Sequence, residues 1–198
     1  MGKMPQKATS VKDKWRAKRW YPIFAPRIFG EVQLGVTPAY SAEMALGRKV
    51  ETTLYELSGD TSMIHVHLYF KAAKNNGERL DTMFVGHEMS RDYIRSLIRR
   101  KSSKVNVIVD VTTKDGYTMR LKGLALTTYR CHRSQRTALR NIMSEVLKKK
   151  AQESSFDQFI QDVVFGKLSN DLFEVGKKIY PLRKVEIEKS KVLRLPAQ

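Results

Sequence analysis

The segment RCHRSQRTALR, Arg130–Arg140, holds the only cysteine of the chain, one of its four histidines and four arginines. Those residue types allow three chemistries: a reactive Cys–His pair, part of a metal site, or a grip on an anion. Cys131 and His132 are adjacent, so in extended backbone they point to opposite faces. A nucleophile needs its base within hydrogen-bond reach, and no spacing here supplies one, although the arginines would favour a thiolate. The anion reading is stronger. A helix starting near Ser134 sets Arg133, Arg136 and Arg140 on one face, away from a stripe of Leu139, Ile142, Met143 and Leu147. Tyr129 and Arg130 come just before it, where a helix N-terminus offers free N–H groups and a positive dipole end. Arginines there oppose the dipole, whereas a bound phosphate would be held by both. The plainer alternative is a solvated basic face.

Other candidate chemistries are weaker. His65 and His67 share one face of a strand, and a hairpin at Asn76-Gly77 would set His87 across from His65. Three imidazoles could begin a zinc site, but no CxxC, HExxH or supporting carboxylate spacing accompanies them. Asp81, Glu88, Asp110 and Asp115 are scattered, and Asp115 belongs to a turn. No glycine loop of a phosphate-binding type occurs. The expectation is a protein without metal, cofactor or catalytic site.

Charge points the same way. Thirty-seven Lys and Arg oppose 20 Asp and Glu among 198 residues, a net of +17. Such an excess repels itself in a compact chain, so a polyanionic partner is expected. It is also concentrated: residues 1–30 carry +7, 31–90 carry −3, 91–150 carry +12 and 151–198 carry +1. A lone cysteine fits a reducing compartment, and no apolar run approaches the roughly 20 residues of a membrane span. The basic start lacks the apolar stretch of a signal peptide. The expected setting is soluble and intracellular, without membrane contact.

Three further basic groups join Arg130, Arg133, Arg136 and Arg140. An arm over residues 1–19 combines Lys12, Lys14, Arg16, Lys18 and Arg19 with Trp15, and Trp20 follows. Basic groups neutralise phosphates and indoles stack on bases; for Trp20, docking of the arm onto the core is the favoured reading. Arg99, Arg100 and Lys101 end one helix, with Arg95 and Lys104 beside them. Lys148, Lys149 and Lys150 end another. Cations at helix C-termini also serve the dipole locally. Dispersed patches without a zinc-finger, basic-zipper or RNP1-like motif suit backbone recognition of folded RNA.

The elements that must position these residues follow from periodicity. WYPIFAPRIFG, with Pro22 and Pro26, excludes a regular helix. Alternation marks strands in EVQLGV, in part of KVETTLYEL, and in MIHVHLYF, which puts Ile64, Val66, Leu68 and Phe70 on one face. LDTMFVG, KVNVIVDV and YTMRLKGLAL follow, the last two joined by Asp115-Gly116, and a final strand spans Leu182–Leu193. Helices are expected from Ser90 to about Lys101, from Ser134 to about Lys150, from Ser155, and over 169–179 before Pro181. About seven strands and four helices, the helices late, give an α+β fold. Its sheet should be mainly antiparallel and barrel-like, in a single RNA-binding domain over residues 20–198 that follows the arm.

WYPIFAPRIF, GRKVETTLYELSGD, FVGHEMSRD, VDVTTKDGYTMRL and IYPLRKV occur in an order and spacing similar to one family. From Trp20 to Leu193 the chain resembles the S-three-A (e-S-one) family of archaeal and eukaryotic small-ribosomal-subunit proteins. Without long lysine-rich tails it looks like the archaeal type. The resemblance implies a β-barrel-like core with helices and a structural role on the platform of the small subunit near the mRNA exit. Implied partners are small-subunit rRNA, neighbouring ribosomal proteins, and mRNA near the exit. The setting would be the cytoplasmic ribosome. The alternative is a non-ribosomal RNA-binding or RNA-processing factor.

Overall fold

A computed structural model describes Trp15 and residues 17–77 and 79–196. The order is β1 (Arg19–Phe24), β2 (Gln33–Ala39), β3 (Lys49–Thr53), α1 (Leu54–Ser58), β4 (Val66–Asn76), β5 (Arg79–Met89), α2 (Arg91–Leu97), β6 (Lys104–Thr112), β7 (Thr118–Thr127), α3 (Arg133–Glu153), α4 (Phe156–Val164), α5 (Lys167–Lys177) and β8 (Leu182–Arg194). The α+β class and the mainly antiparallel sheet are as expected, with eight strands rather than seven.

The additional strand is β1. A segment with two prolines reads as irregular because proline cannot donate to a ladder. Pro22 is tolerated because β1 meets β5 only at Ile23 and Phe24, so at Pro22 it has one ladder neighbour, β2. Two other boundaries differ. Ile64 precedes β4 and is exposed rather than inward. The second half of KVETTLYEL turns into α1, whose start is capped by the Thr53 hydroxyl accepting from the Glu56 N–H.

Strand β5 organises the sheet. One of its edges is taken by β4 along nearly its whole length, and β3 continues beyond β4. Its other partners divide its length, with β1 beside Leu80 and Asp81 and β8 beside Gly86, His87 and Glu88. From β8 the ladder runs through β7 to β6. Among the described residues it ends at β2, β3 and β6 with no ladder joining those ends, so the sheet branches rather than closing as a barrel.

Alternation in β6 buries Val105, Val107, Val109 and Val111 and exposes the residues between them. Helix α3 packs over these valines through Leu139, Met143 and Leu147, and α4 and α5 complete the same core. Between α3 and α4 the β6–β7 turn supplies a cap, as the Asp115 carboxylate accepts from the Phe156 N–H at 2.7 Å. The Asp-Gly pair therefore fixes both a hairpin and the start of a helix.

The β5–β8 ladder is short and tightly specified. A Cβ on Gly86 would lie 2.3 Å from the Ser190 carbonyl oxygen, closer than atoms can pack. Beside it, buried His87 has Nδ1 2.7 Å from the Ser190 hydroxyl and Nε2 3.0 Å from the Ile187 carbonyl. A carbonyl only accepts, so Nε2 carries the proton and Nδ1 accepts from Ser190, which is the neutral imidazole. Burial, the largest influence, pushes the His87 pKa down to about 4.

Two outcomes follow from this ladder. Gly86→Ala should destabilise the fold by about 1–3 kcal/mol, because backbone rather than a movable side chain blocks the methyl; urea unfolding measures it. His87 takes up a proton in the unfolded chain below its ordinary 6.5 but not in the fold until about 4. Stability should therefore fall on acidification through that window by up to about 1.4 kcal/mol per pH unit, and urea midpoints for His87→Gln should show a shallower fall.

Candidate nucleic-acid interface

Two basic stretches, Arg99–Lys101 and Arg130–Arg140, are separate in sequence and side by side in the fold. The β6–β7 hairpin pairs Thr112 with Thr118 at its turn and Lys104 with Leu126 at its open end. Continued beyond the last pair, that register brings the 99–103 loop and the 127–130 loop out of the sheet together. Ser103 joins them. Its N–H donates to the Thr127 hydroxyl at 2.9 Å, and its carbonyl accepts from the Thr127 N–H at 3.1 Å. Its hydroxyl accepts from the Cys131 N–H and from the Arg136 guanidinium, at 3.2 and 3.3 Å. Arg99, Arg100 and Lys101 thus share one end of the molecule with exposed Tyr129, Arg130 and Arg133.

The expected grouping of Arg133, Arg136 and Arg140 is present, and β6 explains its direction. Arg140 Nε donates to the Asn106 carbonyl at 3.2 Å, three residues along the chain from Ser103, which Arg136 contacts. Lys148, two helical turns further, borders a surface hollow with Ser144, Ile108, Asp110 and Arg120. A cationic row therefore follows the outer edge of β6, and α3 starts one residue before the expected Ser134 cap. His132 is the cap residue, and its N–H donates to Gln135 Oε1 at 2.9 Å. No acidic side chain occupies the first turn of α3, so nothing within it offsets the dipole.

Helix α2 stops at Leu97 rather than near Lys101. Arg99, Arg100 and Lys101 consequently stand beyond its last turn, where a helix dipole no longer accounts for them. Lys101 adopts a positive φ of 65°, a conformation uncommon for a side-chain-bearing residue. The three lysines ending the expected α3 separate. Lys148 joins the β6 row, Lys149, Lys150 and Glu153 line a groove with Asp171 and Glu174 of α5, and Lys150 pairs with Asp171 at 2.9 Å. That bond raises the Lys150 pKa and neutralises the charge locally.

The arm falls mainly outside the described residues, which exclude Lys12, Lys14 and Arg16. Within them, Lys18 Nζ lies over the Trp15 ring at 4.2 Å from its centre, and Arg19 opens β1. Trp20, expected to dock on the core, is 62 % exposed. Its neighbours Tyr21 and Ile23 point inward instead, because the segment is a strand and alternates.

The reactive-site alternatives come apart. Cys131 is buried and His132 exposed. His87 pairs with Leu68, not opposite His65; His65 stacks on Tyr93, and His67 meets Glu51 at 3.1 Å. Among the described residues no His, Cys, Asp or Glu cluster of metal-binding size forms. Asp110 is clamped by Arg120 through two bonds of 2.7 and 2.8 Å, Asp81 pairs with Arg79, and Glu88 with Lys189. Among the described residues no helix is long and apolar enough to cross a membrane. Sequence reasoning missed the role of Ser103. The register of the Asp-Gly hairpin was the signal that could have shown the 99–101 and 129–130 stretches meeting.

Comparison with known proteins gives the family. The family model described as Ribosomal S3Ae matches residues 6–196. The chain is similar to the small ribosomal subunit protein eS1 of Saccharolobus islandicus strain L.S.2.15, with 64% identity over 98% of this chain and 93% of the relative. The protein of that name in Saccharolobus solfataricus is 63% identical over the same shares. In Sulfolobus acidocaldarius it is 62% identical over 96% of both chains.

Proposed function

Because the chain belongs to the ribosomal S3Ae family, we propose that it is built into the archaeal small ribosomal subunit by gripping rRNA phosphates with the basic end and β6 edge. Its role is structural rather than catalytic, in the ribosome of the cytoplasm. The observation that carries the rRNA contact is the convergence of Arg99, Arg100 and Lys101 with Arg130, Arg133, Arg136 and Arg140 around Ser103. Seven cations there have no acidic residue in the first turn of α3 to answer them. A phosphate backbone supplies the missing charge, and guanidinium groups bind it with directed hydrogen bonds. Lys148 extends the grip along β6, while Lys150 contributes less because Asp171 holds it.

The domain over 20–198 presents this surface, and the arm over 1–19 adds Lys12, Lys14, Arg16, Lys18 and Arg19. A position on the platform near the mRNA exit, with neighbouring ribosomal proteins and mRNA close by, is what the sequence resemblance implies.

Sucrose-gradient sedimentation of the tagged protein from lysate, with a high-salt wash, tests the assignment. Retention with the small subunit through the wash is expected; release at modest salt would return the protein to the non-ribosomal reading. Replacing Arg133, Arg136 and Arg140 together by Gln should flatten the plot of log affinity for folded rRNA against log salt by about 2–3 units. An unchanged slope would remove the three arginines from the contact.

A further inference from the structure

The β1–β2 hairpin has two apolar faces, and only one is covered. Its register pairs Trp20 with Pro38, Tyr21 with Thr37 and Pro22 with Val36. Tyr21, Ile23 and Ala39 turn inward and pack with Ala42, Ala45 and Leu80 as a small second core. By alternation the outer face carries Trp20, Pro22, Val36 and Pro38. Trp20 is 62 % exposed there and Val36 52 %. A tryptophan on the surface of a paired strand gains little from burial, and its orientation is already fixed by the ladder.

We infer that this face is a stacking platform for unpaired RNA bases, with the Trp20 indole as its centre. The inference rests on the RNA-binding reading and adds a mode that phosphate contacts do not provide. Charge decides the occupant. Lys18, two residues before Trp20, lies over Trp15 at 4.2 Å and faces Tyr40 at 5.7 Å. Residues 1–30 of the sequence together carry +7. A flat aromatic and proline surface with Lys18 at its end and a basic segment leading into it matches a nucleotide strand, whose bases are flat and whose backbone is anionic. An apolar face of a neighbouring protein would leave those cations unanswered. Fixing the indole beforehand on a strand also lowers the ordering cost of binding.

The chain has two tryptophans, so a full-length Trp15→Phe variant reports Trp20 fluorescence alone. The probes are a single-stranded adenosine oligonucleotide and an abasic one of equal length and charge. Quenching by the adenosine strand and not by the abasic one is expected. Trp20→Ala should weaken adenosine-strand binding at least about fivefold while leaving abasic binding and the salt slope unchanged. If both strands bind alike and Trp20→Ala has no effect, the platform is wrong, the phosphate grip stands, and the face is left to a protein neighbour. If neither strand binds, the platform is wrong, while the phosphate grip on folded rRNA is decided separately by the salt slope of the Arg133, Arg136 and Arg140 replacement.

Discussion

The close approach of β5 and β8 at Gly86 and Ser190 holds the two parts of the sheet in one ladder. Strands β1–β5 come from the first half of the chain and β6–β8 from the second, and pairing between those sets passes through three residue pairs. Backbone contact is possible because position 86 has no side chain. Beside it, a buried neutral imidazole accepts from the Ser190 hydroxyl and donates to the Ile187 carbonyl. That orientation sets the direction of β7 and β6, and thereby the side on which α3 displays its arginines. A basic surface formed by one half of the chain is held in register with an aromatic hairpin formed by the other.

Electrostatics in the C-terminal half are arranged against the isolated fold. Outer-face carboxylates are engaged by local cations: Asp110 by Arg120, Glu188 by Lys122 and Asp171 by Lys150. The closest grouping of cations without an ion pair lies at the 99–103 loop, at residues 128–130 and along the first turns of α3. Exposed ion pairs of this kind add little stability and are weakened by salt. Their effect here is to neutralise charge locally at Arg120, Lys122 and Lys150 and leave the Ser103 grouping without such partners.

Most of the element order was legible because the valines of β6 and the stripe of α3 follow strict periods. The hairpin turns were legible because Asn-Gly and Asp-Gly favour the positive φ that those turns require. β1 was not, since Pro22 reads as a breaker and is admitted only by the single-sided pairing at that point. The end of α2 was overread because Ile98 fits the apolar period although it is exposed. The arginine face of α3 could be drawn from spacing alone. Its union with Arg99–Lys101 could not be drawn by looking at either segment, because it depends on the register of a hairpin between them. Trp20 was misplaced for the same reason as β1: alternation assigns it outward once the strand is recognised.

β6 is an end strand, and Ile108 on its outer face is 65 % exposed. A long, regular edge with an apolar residue is the kind of template on which another chain can add a strand. Arg140 occupies the Asn106 carbonyl on that strand, and the cations of α3 run alongside it. A second copy approaching to pair there meets an occupied acceptor and a like-charged row. The like-charged row that borders this edge therefore also opposes strand addition between two copies of the chain.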